Sequence, residues 1–153
     1  MKYLRMTGIS GIGKSYTLNN FPITDDVEII DLLDIKELCT VRSDVKTLIL
    51  DHAESKPHLS QELVSRAASM GHIDYILLVG QNPNDLFWTN ITHEWDFEIS
   101  FKGGFNNLII EVSSSSYPFG DHKIAYTSDM LSQELPDIKS FLNKIKKELR
   151  LSL

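Results

Sequence analysis

Gly8, Gly13, Lys14 and Ser15 stand in the spacing G-x-x-x-x-G-K-S, with a further glycine at Gly11. Glycines in such a run let the backbone close around an anion with its N–H groups pointing inward. The lysine adds a positive charge able to reach terminal phosphates, and the serine hydroxyl is of the kind that ligates Mg²⁺. The apolar run YLRMT precedes the loop and a helix-permissive segment starts at Lys14. That is the strand-to-helix setting in which a helix N-terminus meets a phosphate. The expected ligand is ATP with Mg²⁺, contacted by Gly8, Gly11, Ile12, Gly13, Lys14, Ser15 and Tyr16.

Two later segments carry further polar groups at the ends of apolar runs. KTLILDHAES ends its run at Asp51, where an acid can hold the metal with Ser15. Hydrolysis also needs a group that orients or deprotonates water. His52 follows Asp51 directly, and the nearest carboxylate is Glu54. Glu54 is either that group or a helix-start acid favoured by the dipole. The spacing of His52, Glu54 and His58 matches no metal-ligand pattern, and His93-Glu94 lacks the second histidine of a zinc helix. DYILLVGQ ends at Gln81. If its strand lies beside the loop strand, the Gln81 amide sits near the terminal phosphate. Otherwise it caps a turn before Pro83.

These groups need a sheet to hold them. YLRMT, VEIID, TLILD and DYILLVG each read as a buried strand ending at a polar or glycine residue, as in a parallel sheet covered on both faces. Helices are expected from Lys14, over LDIKELCTV, and over LSQELVSRAASMG, the last with Ser60 as N-cap and Gly71 as stop. The alternation implies an α/β fold with a mostly parallel central sheet. In EWDFEISFKGGFNNLIIEV the apolar residues alternate with polar ones around Gly103-Gly104. A hairpin turning at those glycines is expected, with KIAYT as a further strand and Lys102 near the tip. The serine run at 113–116 reads as a loop. Ile138, Phe141, Leu142, Ile145 and Leu149 keep helical spacing in a closing amphipathic helix.

With 153 residues, 42% hydrophobic and 24% charged, the chain reads as one globular domain, 1–153, with no internal repeat or linker. No apolar run is long enough for a membrane span, and the start is too weakly apolar for a secretory signal. The lone Cys39 fits a reducing compartment, so a cytoplasmic location is expected. The net charge is −6; the tail from Asp137 carries five basic and two acidic residues, +3, leaving −9 for the rest. That balance excludes general affinity for nucleic acid, so any such contact must be local.

The order of GISGIGKS, LILDHAE and RAASMGHIDYILLVGQNPND resembles the FtsK–HerA superfamily of P-loop ATPases, across roughly the first 85 residues. Its members include DNA translocases, viral genome-packaging ATPases and zonula occludens toxin-like phage assembly ATPases. The resemblance implies a P-loop NTPase fold of RecA/ASCE type and a homo-oligomeric ring acting on DNA. A viral capsid or portal-like protein is a further partner it implies, with the host cytoplasm or the virion as location. It implies Lys14 and Ser15 on phosphate and metal, Asp51 as metal acid and Gln81 as polar sensor. Arg66 is implied as an interface arginine reaching a neighbour's nucleotide. His52 departs from the pattern, standing where many ATPases place a glutamate.

Other readings of the same loop are a nucleoside or nucleotide kinase, a GTPase, and a nucleotide-binding assembly module with weak hydrolysis. The kinase needs an arginine-rich lid, but Arg5, Arg42, Arg66 and Arg150 do not cluster. The guanine-reading N-K-x-D of a GTPase is missing.

Overall fold

The structure is a computed structural model that describes residues 1–8, 25–82, 84–91, 95–104, 107–113 and 122–126. The four expected parallel strands form: β1 (Lys2–Thr7), β2 (Val27–Asp31), β3 (Thr47–Asp51) and β4 (Tyr75–Gly80). Helix α1 (Pro57–Met70) joins β3 to β4, and the short α2 (Leu86–Ile91) follows β4. Three more strands, β5 (Phe97–Gly104), β6 (Asn107–Ser113) and β7 (His122–Tyr126), complete one seven-stranded sheet in the order β2-β3-β4-β1-β5-β6-β7. The fold is therefore α/β, with β2 to β5 and β1 in parallel ladders and β5, β6 and β7 antiparallel.

Alternation along the strands explains the two-sided core. On one face Leu48, Leu50, Ile76 and Leu78 pack with Leu63, Val64 and Ala67 of α1 and with Phe87 and Trp88 of α2. The residues pointing the other way, Leu4, Met6, Ile49, Leu77 and Val79, are buried as well. A sheet buried on both faces needs continuous apolar runs, which is why these strands read so plainly.

Where the structure departs from expectation, a specific contact is responsible. No helix covers LDIKELCTV; residues 32–41 are turns and irregular chain. Asp31 Oδ1 accepts the Leu33 N–H at 3.0 Å, a local turn that competes with helix initiation. Lys56 donates to the Ile35 carbonyl, and Arg42 donates to the Asp25 and Val27 carbonyls, tying the segment along the β2 edge. Helix α1 starts at Pro57, not after a cap at Ser60. Ser60 is buried inside it and donates from Oγ to the Ala53 carbonyl at 2.7 Å. Gly71 does stop the helix, in the left-handed region at φ 77°. Gly103 and Gly104 are not turn residues but strand residues, paired with Leu108 and Asn107, and Lys102 pairs with Ile109 within the ladder. Lys123 to Tyr126 of the expected strand KIAYT lie in β7, antiparallel to β6.

The helix expected from Lys14, residues 11–16 of the phosphate loop, His93-Glu94, the loop after Ser113 and the closing helix lie outside the described residues. Among the described residues no helix is long and apolar enough to cross a membrane.

Candidate functional site

The strand order gathers the polar strand ends at one edge. The chain leaves β1 for the far strand β2, steps back through β3 and β4, and reaches β5 by passing over β1. The connection leaving β1 and the one leaving its neighbour β4 therefore run in opposite directions, and in open α/β sheets ligands bind outside the carboxyl ends of strands at such a switch point. β4 lies directly beside β1, with Thr7 level with Gly80. Gly8, the first glycine of the phosphate loop, thus leaves the sheet beside Gln81. Asp51 ends β3, the next strand over.

Asp51 is held rather than free. Its side chain is 5% exposed, and one oxygen accepts the His52 N–H at 2.9 Å. His52 occupies the left-handed region at φ 52°, the sole non-glycine residue to do so among the described residues. That conformation is strained by order 1 kcal/mol and turns the chain sharply out of β3. A 3₁₀ turn, Ala53–Ser55, follows, and the Ser55 hydroxyl donates to the His52 carbonyl at 2.7 Å. The turned-back imidazole places Nδ1 2.8 Å from Oδ1 of Asp31.

Asp31 was not among the expected site residues. It ends β2 level with Asp51. Asp31, Asp51 and His52 each bring one ligand-type atom to within 4.8 Å of the others. The donor set, two carboxylates and an imidazole, is chemically compatible with a divalent cation. A signal existed: VEIID and TLILD both finish in aspartate, and parallel neighbours of equal length align their ends.

Glu54 sits in the first turn of this 3₁₀ helix, and its carboxylate reaches toward the end of β4. Its Oε1 accepts the backbone N–H of Gln81 at 2.7 Å and of Asn82 at 3.2 Å. The Trp88 ring closes the other side of Gly80, and its Nε1–H donates to the Asn82 carbonyl at 2.7 Å. A β-carbon on Gly80 would stand 2.2 Å from Glu54 Oε1 and 2.4 Å from Trp88 Cζ2. The carboxylate could swing aside, but the buried ring cannot move easily. Gly80→Ala is expected to cost about 1–3 kcal/mol through overpacking. The urea midpoint at constant slope reads this; an unshifted midpoint would mean that ring and carboxylate both yield freely.

Behind this clamp, Arg5 of β1 lies 5.5 Å from the Trp88 ring and 5.4 Å from the Trp95 ring, and pairs with Glu98 of β5. Burial pulls its guanidinium below the ordinary value, and the two ring faces and the carboxylate offset that cost. Arg5 is thus a structural cation, and Arg42 is engaged along the β2 edge with Glu28 and Asp44. Arg66 is exposed on α1, with no ion pair among the described residues. No protein-family model, curated protein or solved structure matches this chain.

Proposed function

We propose that the chain is an ATP-hydrolysing motor subunit with a P-loop NTPase fold of RecA/ASCE type, working on DNA as a homo-oligomeric ring. One observation carries the reading: the strand order brings the first glycine of the G-x-x-x-x-G-K-S loop, Asp51 and Gln81 to one sheet edge. In this reading Lys14 neutralises the terminal phosphates, and Ser15 and Asp51 hold Mg²⁺, which supplies further charge neutralisation. Gln81 is exposed beside the loop, where its amide can orient water.

The ring reading assigns Arg66 to a neighbour's site. α1 starts at the carboxyl edge and runs away from it, and Arg66 lies nine residues beyond Pro57. At helical rise that is about 13 Å from the edge. A role at a phosphate therefore belongs to a neighbour's site, which makes turnover depend on assembly. The placement of Arg5 and Arg42 in structural contacts leaves no arginine pair among the described residues for a kinase lid.

The test is ATP turnover across protein concentration, with and without DNA. Turnover per subunit is expected to rise with concentration and to rise several-fold more with DNA. A rate strictly proportional to protein and indifferent to DNA would remove the motor reading. ADP formation only when nucleosides or nucleotides are supplied would replace it with the kinase.

A further inference from the structure

Glu54 has an engagement that neither expected role explains. A water-activating carboxylate needs an oxygen aimed into the site, and a helix-start acid, which Glu54 is by its place in the first turn of the 3₁₀ helix, needs only the N–H groups of its own turn. Glu54 instead sends one oxygen across 27 positions of sequence to the backbone of the turn that follows β4. Both N–H groups it accepts, those of Gln81 and Asn82, are donors that the sheet has just released, because β4 ends at Gly80. Without an acceptor they would be left to solvent, and the turn would be free to pivot about Gly80.

Three features make this a fixed seat. The left-handed His52 and the Ser60 hydroxyl on the Ala53 carbonyl pin the 3₁₀ turn that carries Glu54. Gly80 has no β-carbon, which is what lets the carboxylate approach the backbone at all. Asn82 is held from the opposite side by the Trp88 indole, and its side chain accepts the Asn84 N–H at 3.0 Å. Within that frame the Gln81 side chain is exposed and makes no internal hydrogen bond among the described residues. Its backbone is fixed and its amide is available.

We propose that Glu54 is a positioning residue for Gln81: its carboxylate, hydrogen-bonded to the Gln81 and Asn82 amides, sets where the Gln81 amide stands at the carboxyl edge. The proposal rests on the hydrolase reading above and assigns Glu54 a different part in it. Charge is secondary to acceptor geometry. An uncharged acceptor of the same length keeps both bonds at somewhat reduced strength, whereas a proton-abstracting role requires the ionised group.

Glu54→Gln and Glu54→Ala separate the possibilities. E54Q is expected to keep kcat within about three-fold of the unmodified chain, because the Gln Oε1 still accepts both N–H groups. E54A is expected to lose about 10- to 100-fold in kcat, the scale of a misplaced catalytic group, with the KM for ATP changed less than about three-fold. Combined with Gln81→Ala, E54A is expected to add little further loss, since there is no longer a side chain to position. Hydrogen exchange supplies a readout that needs no turnover: the Gln81 and Asn82 amides stay protected in E54Q and open in E54A. E54Q as inactive as E54A while both keep wild-type circular dichroism would overturn positioning in favour of a base. Wild-type activity and protection in E54A would overturn it altogether. If the unmodified chain hydrolyses no nucleotide, the hydrolase reading fails and takes the proposal with it, an outcome distinct from turnover with an indifferent Glu54.

Discussion

Replacing Lys14 by alanine is expected to lower ATP turnover by at least two orders of magnitude, the scale of losing one preorganised charge at a phosphoryl group. The chain places Lys14 immediately after Gly13 and before Ser15, six residues beyond Gly8. In the proposed site the glycines would leave room for backbone N–H groups around the phosphates, but such groups carry only partial charges. The ammonium is the one full positive charge in the loop, and it matters most where charge spreads over the terminal oxygens as the bond breaks. Binding should therefore weaken less than turnover. Lys14→Arg keeps the charge but exchanges a compact ammonium for a planar fork, so it should restore affinity more than rate. Phosphate release gives the rate, titration with a fluorescent ATP analogue gives affinity, and a thermal melt within about 2 °C of the parent confirms the fold. Turnover that survives Lys14→Ala would remove the nucleotide site from the loop, and with it the whole functional reading.

What the sequence made legible follows from what is local. TLILD and the apolar core of DYILLVG read as strands because a sheet covered on both faces favours such short continuous apolar runs, and VEIID, partly buried at the sheet edge, carries a similar run. Gly71 was readable because a glycine after a helical pattern relieves the left-handed turn that ends it. Misreadings arose where a distant partner decided. Ser60 has the chemistry of a cap, but its hydroxyl serves the carbonyl of Ala53, seven residues earlier. Residues 33–41 keep helical spacing of apolar groups, but Asp31 and Lys56 claim their backbone. The alliance of Glu54 with Gln81, and of Asp31 with His52, depends on which strands lie side by side. That order was conditional in the sequence, and the pairing of β4 with β1 meets the condition under which Gln81 stands next to the loop.

The largest expected loss of stability lies behind that same turn, at Trp88. Its ring is 1% exposed and belongs to the core cluster that joins α1 and α2 to the sheet. It meets Phe87 edge-on at 4.9 Å and Trp95 at 5.7 Å between centroids, and Arg5 lies over its face. Trp88→Ala therefore opens a cavity, takes one face from a half-buried guanidinium and leaves the Asn82 carbonyl without its indole donor. Large-to-small aromatic changes in a core cost about 3–5 kcal/mol, and for a chain of this size that lowers Tm by about 10 °C. Trp88→Phe keeps most of the ring and loses the donor to a carbonyl that water can still reach, so about 1–2 kcal/mol is expected. Urea unfolding followed by far-ultraviolet circular dichroism measures both without relying on fluorescence, since the chain has only two tryptophans. A Trp88→Ala loss below about 1.5 kcal/mol would show that the ring is not part of a packed core. The two effects also differ in kind. Trp88→Phe preserves the wall behind Gly80 and should leave ATP turnover nearly intact, whereas Trp88→Ala releases the turn that carries Gln81 and should slow turnover even at temperatures where the chain remains folded.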